Sequence, residues 1–234
     1  MNNEILLIVS LVLIYTTLVL FYKLLGKAGL YAWTVLGTIS ANIEVLIMVN
    51  AFGMEMTLGN ILFASTFLVT DILSETEGKE YANKAVKIGV LTNLAFILIS
   101  QSWFLYTPSS SDFMSPAIRE VFSNTPRLML VSLGVYAIVQ TFDVWFYHFI
   151  WDKTSKLFND SHKGLWIRNN GSTLVSQLLN NVLYTFGAFY GMYSMPTLIS
   201  IVISSYIIFI CTSLLDTPAI YVARMIKEKN LVSK

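Results

Sequence analysis

Seven long apolar runs, separated by short charged or Gly/Pro-bearing connectors, leave this chain few ways to fold. They cover about 5–24, 30–52, 58–73, 86–105, 128–150, 172–192 and 197–226. Most approach the ~20 residues that an α-helix needs to cross bilayer hydrocarbon. In lipid a spanning segment must satisfy its own backbone, so each run reads as a helix. Only 12% of the 234 residues are charged, and mean hydropathy is +0.65; a soluble domain carries roughly 25% charge. The expected fold is an all-α integral membrane protein, a bundle of seven transmembrane helices in one domain over 1–234. The first run lacks a basic leader and a small-residue cleavage site, so it is read as a retained span. The third run is short and polar, hence tilted and packed inside the bundle or partly re-entrant. Pro218 should kink the last run or end it early.

The basic residues sort by side. If the odd-numbered spans exit on one side, that side receives Lys23, Lys27, Lys79, Lys84, Lys87, Lys153, Lys156, Lys163, Arg168, Arg224, Lys227, Lys229 and Lys234. Only Arg119 and Arg127 fall on the other. The positive-inside rule then places the N-terminus outside and the C-terminus in the cytoplasm of a multi-pass plasma-membrane protein. The 106–126 segment becomes the longest outside loop, a lid or a plain connector.

A net charge of +1 excludes a nucleic-acid binder that works by a basic field. One cysteine and two histidines provide neither a disulfide framework nor a metal centre, and no cofactor is called for. There is no H-E-x-x-H, nucleophile elbow or Walker A loop, so catalysis is not expected.

Polar groups inside a membrane face the bundle and mark function by default. Asn42 and Glu44 lie near the middle of the second run, where Glu44 is expected to carry a proton or accept a ligand. Asp71 and Glu75, four apart at the end of the third run, share a helix face and want a cation. Arg168 is the natural partner for either, in a cytoplasmic gate; plain snorkelling is the alternative. Glu44, Asp71, Glu75 and Arg168 are thus the candidate gate or coupling residues. Tyr136, Gln140, Asp143 and Tyr147 form one helical stripe, and Thr173, Gln177, Asn180 or Asn181, and Tyr184 form another. Two inward stripes at similar depth suggest a shared pocket, with structural glue between helices as the alternative.

The same residues carry a likeness. The stretches 67–75 (FLVTDILSE) with Gly78-Lys79, 140–144 (QTFDV) and 165–177 (LWIRNNGSTLVSQ) resemble three characteristic segments of the queuosine-precursor transporter family, also described as vitamin-uptake transporters. The likeness runs from about Thr34 to the C-terminus. Three departures stand out. The family usually has an acid at Asn180 and an aromatic residue at Glu77, and Ile207 to Phe209 replace a lysine-containing run of some members. The resemblance implies a six-span core over 30–226, similar to the substrate-binding subunits of energy-coupling-factor importers, with 5–24 as an added helix. It also implies import of 7-deazaguanine bases (nitrile, aminomethyl or queuine) for salvage into transfer RNA modification.

The leading expectation is therefore a small-molecule importer whose partners are a deazapurine and the lipid bilayer. A guanine-like edge offers adjacent donors and a carbonyl, which suit a carboxylate and amides. Gln140, Asp143, Gln177, Asn180 and Asn181 would read the ring, Tyr136 and Tyr184 would stack on it, and Asn42 and Glu44 would complete the site. One alternative is a binding subunit that needs a separate ATPase module. Another is a non-transporting structural membrane protein, which would bind no ligand saturably. A homo-oligomer is compatible with the sequence but not required by it.

Overall fold

The computed structural model describes residues 2–123 and 126–232. Lys234, counted above among the basic tail, and Asn124 and Thr125 of the outside loop lie outside the described residues.

Among the described residues the fold is all-α apart from one small hairpin. The helices are α1 Asn3–Glu44, α2 Gly59–Thr76, α3 Lys79–Ser102, α4 Ser115–Ser123, α5 Pro126–Phe158, α6 Leu165–Phe189 and α7 Met195–Glu228. Strands β1 Met48–Ala51 and β2 Met54–Thr57 pair antiparallel between α1 and α2.

α1 is two helical arms folded back on each other. Gly26 breaks it with φ 57 and ψ −139, a backbone conformation that glycine alone adopts without strain. Close packing follows at once: a methyl group on Gly29 would run into the Phe21 carbonyl, and the Phe21 and Trp33 rings meet edge-on at 5.5 Å. Residues 12 apart in a straight helix would stand roughly 18 Å apart. Contacts fix both ends of the first arm. Asn3 donates to the Asn50 carbonyl (2.8 Å) and Glu4 accepts from the Phe52 N–H (3.0 Å) at the hairpin end. Tyr22 donates to Glu77 (3.1 Å) at the opposite, basic end. Midway, the Tyr15 hydroxyl donates to the Thr212 carbonyl of α7 (3.2 Å).

Among the described residues four helices, α1, α3 (with the short 3₁₀ turn after it), α5 and α7, are long and apolar enough to cross a membrane. Their outward positions carry exposed Ile, Leu, Val, Phe and Trp, while Asp, Asn, Gln and Arg are buried. Apolar outside and polar inside is the arrangement that lipid favours. α2 is polar enough to fall short of these four because other helices surround it, whereas α6 packs on α5 and α7 and keeps an apolar outer face at Trp166, Val175, Leu178 and Val182. Fourteen of the 18 residues of α2 are buried, and it packs against α1, α3, α5 and α7. The third run is thus an interior helix, packed inside the bundle.

Four expectations need correction. The second helical segment stops at Glu44, since residues 48–57 turn into the hairpin; Phe52 (φ 53) and Gly53 (φ 71) form the two-residue turn with positive φ at both positions that hairpins favour. Asn42 and Glu44 therefore sit at a helix terminus, not mid-span. α6 begins seven residues earlier than the run 172–192, at Leu165, so Arg168 is helical and fully buried instead of snorkelling. α7 continues through Pro218 rather than ending there. The 106–126 segment is not all loop: Asp112 caps α4 by accepting from the N–H groups of Met114 (2.8 Å) and Ser115 (2.9 Å). Those bonds, with one from the Ser115 hydroxyl, hold the Asp112 carboxyl below its ordinary pKa.

Candidate functional site

A column of polar side chains runs along the interface of α2, α5, α6 and α7. It is read most easily from the basic end inward.

At that end Glu75 of α2 is the hub. Arg168 of α6 grips it with two hydrogen bonds, Nε to Oε2 (2.8 Å) and Nη2 to Oε1 (2.7 Å). Its third group, Nη1, donates to the Lys163 carbonyl (2.8 Å), and the guanidinium lies 4.3 Å over the Trp151 ring. Tyr147 of α5 donates to Glu75 Oε2 (2.8 Å), and Arg224 of α7 stands 3.3 Å from Oε1. The Arg168 side chain is 0% exposed and that of Glu75 3%. A pair this dry survives only when its remaining donors and acceptors are satisfied, as here. Nearby, Glu77 gathers Lys227 (2.7 Å), Lys27 (3.8 Å) and Tyr22, tying the α1 fold and the α7 tail to α2. Five helices, α1, α2, α5, α6 and α7, are latched together at this end.

One turn deeper lie three buried aspartates. Asp71 of α2 accepts from Thr173 (2.9 Å), and Asp216 of α7 accepts from Asn169 (2.8 Å). Thr173 and Asn169 are four apart on α6, so they present these two acids on adjacent rungs of one face. Asp143 of α5 is fully buried with both carboxyl oxygens unpartnered. Ser176 stands beside it without hydrogen-bond geometry. Asp71 is close enough to Asp143 and Asp216 for their charges to repel.

Above them, Gln140 donates to Thr66 (2.9 Å) and accepts from Thr70 (3.3 Å), so α2 holds its amide at both ends. Gln177 of α6 is 1% exposed, and neither its oxygen nor its nitrogen has a partner. Asn180 is buried one turn further along the same face.

The structure buries Gln140 and Asp143 on α5 and Gln177 and Asn180 on α6, two helices packed on each other, with Asp71, Glu75 and Arg168 towards the basic end. Other residues singled out from the sequence go elsewhere. Arg168 pairs with Glu75 and not with Asp71. Asn181 turns to α7, donating to the Val202 carbonyl (2.8 Å). Asn42 bridges Thr38 (2.7 Å), Asn93 (3.4 Å) and Ser132 (3.5 Å) towards the hairpin end. Glu44 is half-buried at the end of α1, apart from the column. Tyr136 packs over Gly89 of α3, which has no room for a methyl group, and Tyr184 packs beside Phe67, Val135 and Val139. Asp216, Asn169 and Ser176 were not anticipated. The signal for Asp216 was available: it is the one acid inside the apolar run 197–226.

Comparison with known proteins places the chain among transporters. A protein from Bacillus subtilis (strain 168) named "Probable queuosine precursor transporter" is 38% identical over 210 residues, covering 90% of each chain. No solved structure matches. A family model described as "Putative vitamin uptake transporter" matches residues 57–223, from just before α2 to most of α7, including Asp71, Glu75, Asp143, Arg168, Gln177 and Asp216, and the chain belongs to that family of membrane transporters.

Proposed function

We propose that the protein imports a 7-deazaguanine base, a nitrile or aminomethyl precursor of queuosine or queuine itself, and binds it between α5 and α6. The observation that carries this reading is the presence of Asp143 on α5 and Gln177 on α6, two helices packed on each other. Both are buried, and the carboxyl oxygens of one and the amide oxygen and nitrogen of the other lack partners within the chain. Buried polar groups without partners cost about 1–3 kcal/mol each, so a retained set implies a ligand that satisfies them. A deazaguanine edge has the complement: adjacent N–H donors for Asp143, and a carbonyl and a further donor for Gln177. Asn180 extends the contact, and Gln140, clamped by two threonines, fixes the wall from the α2 side. The name of the Bacillus subtilis relative supports this substrate class.

Seven crossings carry the site: the two arms of α1, then α2, α3, α5, α6 and α7. Contacts at each end support the alternation, with Asn3, Asn50 and Phe52 together at one end and Tyr22, Lys27, Glu77 and Lys227 at the other. The basic end faces the cytoplasm by charge bias, which leaves the N-terminus outside. The six helices after the first arm are the core, similar in plan to the binding subunits of energy-coupling-factor importers. In this arrangement the Glu75–Arg168 latch closes the cytoplasmic end, and ligand release inward requires it to part.

The test is thermal unfolding of purified protein against guanine, the deazaguanine series and a panel of vitamins. A ligand at 100 times its Kd adds about 2.7 kcal/mol of stability. Stabilisation by deazaguanines alone is expected. A shift with a vitamin and none with any deazaguanine overturns the assignment.

A further inference from the structure

Asp71 and Asp216 are not needed to read a base, yet they are among the most buried groups in the chain. Each is already held by α6, one through Thr173 and the other through Asn169, on successive turns. Around them stand oxygens with nothing to do: Asp71 Oδ1, Asn169 Oδ1 and Ser74 Oγ are buried and unpartnered. Ser74 lies three residues after Asp71 on α2, on nearly the same face. The cations nearest in sequence and space are committed. Arg168 is spent on Glu75, Lys163 and Trp151, and Arg224 on Glu75 and Glu228. Carboxylates this close in a dry interior require positive charge from outside the chain.

We propose that Asp71 and Asp216, with Asn169, Thr173 and Ser74, form a site for a monovalent cation, a proton or a sodium ion, that travels with the substrate. An all-oxygen set suits a hard cation. Among the described residues no three acidic, imidazole or thiol groups converge as metal ligands, so nothing here chelates a divalent ion tightly. Weak, exchangeable binding is what a coupling ion needs. The placement also explains how occupancy reaches the latch. Asp71 and Glu75 are one turn apart on α2, Asn169 adjoins Arg168 on α6, and Asp216 is on α7 with Arg224. A cation bound between Asp71 and Asp216 draws together the three helices whose parting opens the cytoplasmic end. Coupling of this kind rests on the transport reading; cation binding itself does not.

Other titratable groups face these two carboxyls: Tyr15 of α1, Glu75 of α2, Asp143 and Tyr147 of α5, and Arg168 of α6. α3 brings none among the described residues. A variant is therefore needed to assign any dependence.

The experiment begins without substrate. Full-length protein in detergent is melted in choline, potassium and sodium chloride at constant ionic strength, from pH 5 to 9. A rise of several degrees specific to sodium identifies a sodium site; a rise on acidification without salt preference identifies a proton site. Asp216→Asn should remove whichever dependence is found, and Asp71→Asn serves if that variant does not fold. In proteoliposomes Asp216→Asn should bind a deazaguanine within about threefold of wild type yet lose at least tenfold in accumulation driven by the matching ion gradient. A wild-type melt indifferent to both sodium and pH overturns the proposal, as does an Asp216→Asn variant that keeps the dependence or accumulates normally. Cation dependence without any deazaguanine binding would sink the substrate assignment and leave the cation site standing.

Discussion

Removing Arg168 measures how much the latch holds. Its side chain makes two hydrogen bonds to Glu75, one to the Lys163 carbonyl, and a stacking contact over Trp151. Breaking a buried pair by deleting one partner costs about 3–5 kcal/mol, because the other charge stays behind unpaired. Here Glu75 keeps Tyr147, and Arg224 at 3.3 Å can take up part of the charge. That relief places Arg168→Gln at the lower edge, near ~3 kcal/mol. For a chain of this size the melting temperature should fall by about 6–12 °C. Glu75→Gln should cost a similar amount, since it strands Arg168 with 0% exposure. The double variant leaves no charge unpaired at this pair, so it should cost far less than the sum, with a coupling energy of roughly 2–3 kcal/mol. Intrinsic fluorescence melts of the four proteins close the cycle; Trp151, stacked on the guanidinium, provides a local reporter. A coupling energy below about 0.5 kcal/mol, the range of exposed pairs, would mean that the latch is wet and loose, and would refute the reasoning.

Asp143→Asn should weaken deazaguanine binding by roughly ten- to a hundredfold, the worth of a charged hydrogen bond at about 1.5–3 kcal/mol; normal titration calorimetry by a well-folded variant would remove Asp143 from the site. Gly29→Ala forces a methyl group into the Phe21 carbonyl and should destabilise by about 1–3 kcal/mol. Gly134→Ala, with open space around it, should be neutral or gain up to ~1 kcal/mol from helix propensity; equal melting points for these two variants would show that the α1 arms are not tightly packed. A cytoplasm-dependent reporter fused to the C-terminus should be active, and activity only of an outside-dependent reporter would invert the topology.

The helices were legible because lipid demands long apolar runs, and the α5 and α6 stripes because their polar residues recur at helical spacing. What failed did so for identifiable reasons. An apolar-run criterion starts α6 after Arg168-Asn169-Asn170, as if polar meant wet; in a bundle whose exterior is lipid, polar residues belong to the interior and the helix begins at Leu165. Asp216 was lost inside a run read only for length and for its proline. Glu44 was placed mid-span because 45–52 is apolar enough to extend a helix, and the turn carries Phe52 where an Asn-Gly pair would have announced a hairpin. The pairing of Glu75 rather than Asp71 with Arg168 was beyond sequence, since both acids share a face and differ by a single turn.

The fold-back of α1 sets an order of events during synthesis. Tyr15 finds its partner in the Thr212 backbone, 197 residues further along. At about 5–20 residues per second, ribosomal elongation separates the two by on the order of 10–40 s. Through that interval the first arm is held by the second arm, by the hairpin through Asn50 and Phe52, and by Glu77, and the break at Gly26 with close approach at Gly29 lets the two arms pair as soon as both have emerged. With its arms packed on each other, α1 is a platform already in place when α2, which must be surrounded on nearly every side, arrives.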